Sequence, residues 1–340
     1  MNLKQKFKSL PLIVRCAVIS VLYAVFLVTG QVLISGGIIS NYISKIIVLS
    51  GINMILTLSL NMATGYLGQL PLGHAGFMAV GAYASAILLR AFPTDIAQIF
   101  FPLTIIFGGI LAAIFGLVIG IPALRLKGDY LAIITLGFGE IIRVIITNID
   151  SVIGRDFTYG AKTLKNIPKV TTFLSTFICV GLTVLLMYTL IHSRHGRAIL
   201  AVRDNEIAAE SCGIHITFYK AFGFVFSAFF AGVAGALYAS YLGILNPGSF
   251  GFEKSIEILV MVVFGGMGSM IGSVVSATVL TALPELLREF SDYRMLVYSI
   301  LHILIMVFGN SPKSEPFKRK LVGFVSGIFK PKHREGAENE

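Results

Sequence analysis

Long apolar blocks alternate with short polar segments along this chain, and one charge-rich stretch interrupts them near the middle. The first apolar block covers 12–34, after Lys4, Lys6 and Lys8. From 46 to 89 there is no Asp, Glu, Lys or Arg, long enough for two crossings of ~20 residues each. Between them lies TGYLGQLPLGHAGF, where Gly65, Gly68, Pro71, Gly73 and Gly76 crowd together. Such a cluster at membrane depth predicts a tight turn or a broken helix whose freed backbone groups face protein or a cavity. A fourth span is expected over 99–121, ending at Pro122, and a fifth over 130–149, behind a short basic loop with Arg125 and Lys127. Residues 150–171 read as a polar extramembranous segment, and a sixth span over 172–191 follows. The seventh, 220–242, is rich in Gly and Ala (AFFAGVAGALYAS). An apolar block at 256–283 is broken by FGGMGSMIGS, and a last span runs over 294–308. In the tail, FKRKLVGFVSGIFK (317–330) sets apolar residues against basic ones at helical spacing, the pattern of an interfacial amphipathic helix. A faint echo links GFMAVGAYASAILL with GVAGALYASYLGIL.

The interrupting stretch is 192–219, HSRHGRAILAVRDNEIAAESCGIHITFY. It lacks Pro and is rich in Ala, Ile, Leu, Arg and Glu, so a short helix is expected within 203–214. Its Arg194, Arg197 and Arg203 stand against Asp204, Glu206 and Glu210. A charged helical loop of this kind in a membrane protein predicts a docking partner on its side.

Composition sharpens the class. Of 340 residues, 56% are hydrophobic and 13% charged, and the mean hydropathy is +0.85. Soluble domains carry about a quarter charged residues, so the chain reads as a polytopic, all-α transmembrane bundle of about 8–10 segments, some of them broken or re-entrant, forming a single domain over 1–340. The net charge of +10 reports orientation, not nucleic acid, because Lys and Arg flank membrane segments on the cytoplasmic side. The 3 cysteines are scattered singly, which argues against a disulfide framework or zinc site. The basic start with its long apolar run reads as an uncleaved span, not a signal peptide.

Charge parity constrains the topology. Lys4, Lys6, Lys8 and Arg15 place the N-terminus inside, and six crossings return 192–219 to the cytoplasm. The tail is basic too, so an even number of crossings must separate 191 from 313. The block 256–283 therefore does not cross once. Two half-helices that enter and return are expected, leaving 285–293 outside.

Several residues carry candidate chemistry. Glu140 and Arg143 lie mid-span, one helical turn apart, where an isolated charge costs at least ~2.5 kcal/mol. They either neutralise each other or line a solute pathway. His74 is the one side chain between Lys45 and Arg90 that ionises near neutral pH; a structural hydrogen bond and a proton relay are both open. Asn53 and Asn61 are suited to interhelical hydrogen bonds or to solute contact, and Gln69 and Gly73 of the break join the candidate pathway. In FGGMGSMIGS, Gly265, Gly266, Gly268 and Ser269 offer backbone groups at the ends of two half-helices, as solute sites in transporters do; a glycine packing seam is the alternative. The chain has no P-loop and no HExxH, GxSxG or intraspan aspartyl pair. It is not expected to be an enzyme, and ATP-driven transport would need another subunit.

Four blocks then carry a resemblance. LKGDYLAIITLGFGEIIR, GYLGQLPLGHAGFMAVGAYASA, GRAILAVRDNEIAAESCGI and VVFGGMGSMIGSVVSA occur in the order and kind of permease subunits of branched-chain amino-acid ABC importers, LivM type, and together span most of the chain. The resemblance implies import of leucine, isoleucine or valine at the cell membrane. It also implies a related permease partner, two cytoplasmic ATPases that bind the ATP, and an extracytoplasmic solute-binding protein, with no cofactor on this chain. Such permeases dock their ATPase through a helix marked E-A-A-x-x-x-G. Ala208, Ala209 and Gly213 match the later part of it, Ile207 takes the Glu position, and Glu206 stands one residue earlier, led by Arg203, Asp204 and Asn205. Alternatives are a related importer for urea or a short amide, a self-sufficient secondary transporter or channel, and a scaffold.

Overall fold

A computed structural model describes residues 12–126, 128–153, 163–286 and 300. The chain divides at Leu283 into two compact units, and the described residues lie almost wholly in the first. The expected span 294–308, the tail helix 317–330 and the segment 287–293 fall outside the described residues.

The described residues are helical, without a strand beyond one isolated bridge between Leu164 and Leu245. Helix α1 is Leu12–Ser35 and α2 is Asn41–Asn61, the latter capped by Ser40, whose side chain accepts from Tyr42 N. α2 then widens into a π-turn, Met62–Tyr66, in which Leu67 N donates to Met62 O. α3 is His74–Arg90, α4 Thr94–Ala123, α5 Asp129–Ile153 and α6 Phe173–His192. α7 (Arg194–Asp204) and α8 (Glu206–Ser211) form the central loop. α9 is Ile216–Leu242, and after a 3₁₀ turn at Pro247–Phe250 come α10 (Phe252–Gly265) and α11 (Met270–Leu286).

Three expectations are corrected. α4 ends near Pro122 as expected, at Ala123, but begins earlier, at Thr94; Pro102 inside it is tolerated because in membrane helices neighbours re-satisfy the freed carbonyls. The 150–171 segment begins as helix, since α5 runs on to Ile153. The central loop holds two helices and not one, because Asn205 is extended (φ −158°, ψ 108°).

Five helices are long and apolar enough to cross a membrane among the described residues, and Val21–Ser35 and Met270–Glu285 are shorter apolar ones. Their outward faces carry Ile99, Ile106, Val118, Ile133, Ile145 and Leu185, all exposed, as lipid-facing surfaces do.

Helix directions follow from named contacts. Ser227 Oγ donates to Ser59 O (2.6 Å) and Tyr241 Oη to Lys45 O (3.2 Å), so α2 and α9 run antiparallel. α4 also opposes α9, with Gly120 against Phe224 and Gly109 against Phe229. The echoing segments pack on each other: the backbones of Gly81 in α3 and Gly232 in α9 leave no room for a Cβ. Small residues let helices approach closely where lipid removes the hydrophobic drive to associate. α10 and α11 form an antiparallel hairpin, with Gly265 against Gly272 and Ser276 Oγ donating to Met261 O (2.6 Å). The block therefore returns to the end it came from, the re-entry that was expected of it.

Candidate functional site

The candidate residues gather in two places. The first is the end of the bundle that carries α7 and α8. Ser193 caps α7 by accepting from Gly196 N (3.2 Å), and Asn205 Oδ1 caps α8 by accepting from Ala208 N (3.1 Å). These caps satisfy helix N–H groups that have no partner in the first turn. Glu206 opens α8, where a carboxylate suits the helix N-terminus, and it receives Lys220 Nζ at 2.6 Å. The Lys220 side chain is only 5% exposed, so this pair pins α8 to the start of α9.

Gly213 closes α8. Its N–H donates to Glu210 O (2.9 Å) and that of Ile214 to Ala209 O (3.1 Å), a Schellman end that calls for φ near +80°; Gly213 has φ +79°. The outward face shows Ile207, 78% exposed, Ala208, and Gly213 with open space above it. Ala209 is buried within the chain.

Arg203 reaches from α7 to the membrane helices. Its Nη1 donates to Gly65 O in the π-turn (2.9 Å), while Nε and Nη2 hold Asp204 Oδ1 (3.0 and 2.8 Å). The hairpin tip meets the same turn. Asn61 Nδ2 donates to Ser269 O (3.1 Å) and Ser273 Oγ (2.9 Å), and its Oδ1 accepts from Gly268 N (2.8 Å). Gly266 and Gly268 turn the tip at φ +86° and +82°, a conformation open to glycine without strain. A Cβ on Gly65 would overlap Asn61 Oδ1 and Gly268 N.

Two of the buried polar candidates bond to side chains of neighbouring helices. Asn53 Nδ2 donates to Thr281 Oγ1 (2.9 Å), and His74 Nε2 pairs with Ser59 Oγ (2.8 Å). Gly73 lies against Thr135 O and Gly139 of α5. Gln69 is half-buried, its backbone N–H bonded to Ala63 O (2.9 Å).

The second place is a cleft of about 600 Å³ between the middle of α5 and the first turns of α10. Arg143 Nε meets Glu140 Oε2 at 2.6 Å, with the side chains 34% and 36% exposed. Across the cleft Lys254 Nζ meets Glu257 Oε2 at 2.9 Å. Glu253, Phe252 and Tyr238 complete the wall that matters chemically. Glu140 and Arg143 are thus not brought together with Gly265, Gly266, Gly268 and Ser269: the cleft lies at the start of α10 and the hairpin tip at its end, roughly 15–20 Å away at 1.5 Å per residue.

Residues 42–308 match the family described as the permease component of branched-chain amino acid transport systems. The chain belongs to that family. Among relatives, the permease is 34% identical over 313 residues to the high-affinity branched-chain amino acid transport system permease LivM of Salmonella typhimurium, covering 81% of this chain and 71% of the relative. LivH of the same organism is 29% identical over 154 residues (45% and 47%). The nucleoside ABC transporter permease NupC of Lactococcus lactis is 25% identical over 228 residues (62% and 70%). No solved structure gives a significant match.

Sequence reasoning missed four residues of the permease. Glu253, Lys254 and Glu257 were legible in FEKSIEIL, where a Lys–Glu pair at helical spacing precedes an apolar block. Lys220 was taken only as the start of a span.

Proposed function

We propose that the permease carries branched-chain amino acids into the cell as one of two related membrane subunits of an ABC importer. Two cytoplasmic ATPases bind the ATP, and an extracytoplasmic binding protein delivers the solute. The loop end, and with it both termini, faces the cytoplasm. The observation that carries this reading is α8. Its apolar Ile207, small Ala208 and open Gly213 present a contact face, Lys220 ties that helix to α9, and Arg203 ties the adjoining α7 to the π-turn. A face that is exposed, short and braced from behind suits transmission of force from a partner.

Four of the expected coupling residues take other roles in this reading: Arg203 holds the π-turn and Asn205 caps α8. Glu206 and Ala209 brace α8 from within, while Ile207, Ala208 and Gly213 meet the ATPase. The test is uptake of labelled leucine, urea and a nucleoside in a strain that lacks its own importers and expresses this permease with its neighbouring subunits. Leucine uptake that stops without ATP, together with ATPase subunits that co-purify in mild detergent, is the expected result. Urea or nucleoside uptake without leucine uptake overturns the substrate, and ion-driven uptake without ATPases overturns the class.

A further inference from the structure

We propose that the cleft between α5 and α10 is a binding site for a zwitterionic α-amino acid with an apolar side chain. This rests on the importer reading above and locates the solute within this subunit.

Half of the cleft's lining residues are charged, in a chain that is 13% charged overall. Both walls repeat one arrangement, a cation and a carboxylate one helical turn apart: Arg143 with Glu140, and Lys254 with Glu257. Stability does not account for this. Partly exposed ion pairs contribute about 0–1 kcal/mol, while charges within a membrane domain are costly unless they face a polar cavity. Glu253 adds a carboxylate with no ion pair among the described residues. Three carboxylates therefore face two cations.

That balance selects among ligands. An anion meets an excess of negative charge, and a simple cation leaves Arg143 and Lys254 unused. A neutral amide gains no charge partner. A zwitterion exchanges partners on both sides: its carboxylate takes Arg143 or Lys254, and its ammonium takes Glu253 or a carboxylate so released. The Phe252 ring, half exposed at the rim, and Tyr238 supply apolar surface for an aliphatic side chain. A volume of about 600 Å³ falls within the usual range for small-molecule sites. Because the ligand competes with existing ion pairs, binding is weak, which suits a site that must also release.

Ser249, exposed in the lining, and Met267, exposed at the hairpin tip, provide the reporters. Each is replaced singly, Ser249→Cys or Met267→Cys, in a background with Cys16, Cys179 and Cys212 changed to Ser. Vesicles carrying the whole importer are then labelled with a polar thiol reagent. With leucine at about ten times its Kd, mass action slows labelling of the Ser249→Cys thiol about tenfold and leaves the Met267→Cys thiol unchanged. Leucinamide, which lacks the carboxylate, and 4-methylpentanoate, which lacks the ammonium, give no protection. Adding Glu140→Gln with Arg143→Gln, which preserves net charge, abolishes protection.

Equal protection by leucinamide or a nucleoside overturns the zwitterion assignment. Protection at both reporters means a general closure and overturns a local site. No protection in vesicles that still take up leucine overturns the site while leaving the importer reading intact; vesicles that take up no leucine overturn both.

Discussion

Truncating Arg203 tests whether the central loop is mechanically linked to the hairpin tip. Arg203→Ala removes an ionised donor from Gly65 O, a bond of 2.9 Å, and bonds of this kind contribute about 1.5–3 kcal/mol. The Asp204 contact matters less, because that carboxylate is 67% exposed and such pairs give about 0–1 kcal/mol. A contact that differs between two conformations shifts their balance by no more than its own free energy. Loss of the Gly65 bond therefore lowers coupled transport by about 10- to 150-fold at most, at 1.4 kcal/mol per tenfold. Asp204→Asn has an effect of about fivefold or less on the same scale.

The assay measures leucine uptake and ATP hydrolysis on the same proteoliposomes. Arg203→Ala is expected to keep hydrolysis and lose transport per ATP. Arg203→Lys falls between, because lysine keeps the charge but lacks the fork that reaches Gly65 and Asp204 together. Wild-type transport per ATP in Arg203→Ala, or equal loss in Asp204→Asn, would refute the link.

Three further outcomes are expected. Asn61→Leu should lower thermostability in detergent by about 2 kcal/mol and Asn53→Leu by about a third of that, since Asn61 makes three interhelical bonds and Asn53 one, at ~0.6 kcal/mol each in membranes; equal losses would mean the tip is held by other contacts. Gly213→Ala should cost about 1–2 kcal/mol through its left-handed backbone and still let the ATPases assemble, whereas Gly213→Asp, which also sets a charge into the contact face, should block assembly of a permease that still inserts. Single cysteines at Ser291→Cys and Ser314→Cys should react with an impermeant maleimide on intact cells at the first position and not the second; the reverse pattern would place the hairpin's return end inside.

Much of the fold was legible because charge is so rare. The charge-free run 46–89 and the glycines inside it mark α2, the π-turn and α3, and charge parity together with the glycine-rich break predicted that 256–283 doubles back. Boundaries were less legible where the usual stop signals lose force. Pro122 did mark the end of α4, which closes at Ala123, but its start at Thr94 lies earlier than expected, and a polar terminus did not stop α5 before Ile153. The split of α7 from α8 was hidden because Asn205 lies amid good helix formers; its cap to Ala208 N is visible only in three dimensions. The candidate site was half legible. Glu140 and Arg143 stood out against an apolar span, but nothing along the chain says that residues beyond position 250 complete their cleft. Likewise Asn61 and Gly268 are distant in sequence, and their bond comes from the antiparallel hairpin.

The two kinds of contact in the bundle also differ in how readily they come apart. α3, α4 and α9 meet through glycine seams such as Gly81 on Gly232 and Gly116 on Ala228, where backbones touch and sliding would drive atoms together. Interiors packed in this way resist continuous deformation. Apart from the close approach of Gly268 to Gly65, the hairpin is attached differently, through Asn53 to Thr281, Asn61 to Gly268 and Ser273, and Ser255 to Ala75 N. Hydrogen bonds of this kind are individually weak in membranes, ~0.6 kcal/mol on average, and their donors and acceptors can find new partners one turn along. The glycine seams thus make α3, α4 and α9 the fixed part, and the polar bonds make α10 and α11 the part with exchangeable contacts. α10 carries Lys254 and Glu257 at one end and the Arg203-facing turn at the other. A helix of 14 residues is too short to absorb displacement by bending gently, since such curvature has a radius of ~60–100 Å. Displacement at its tip is therefore felt at the cleft.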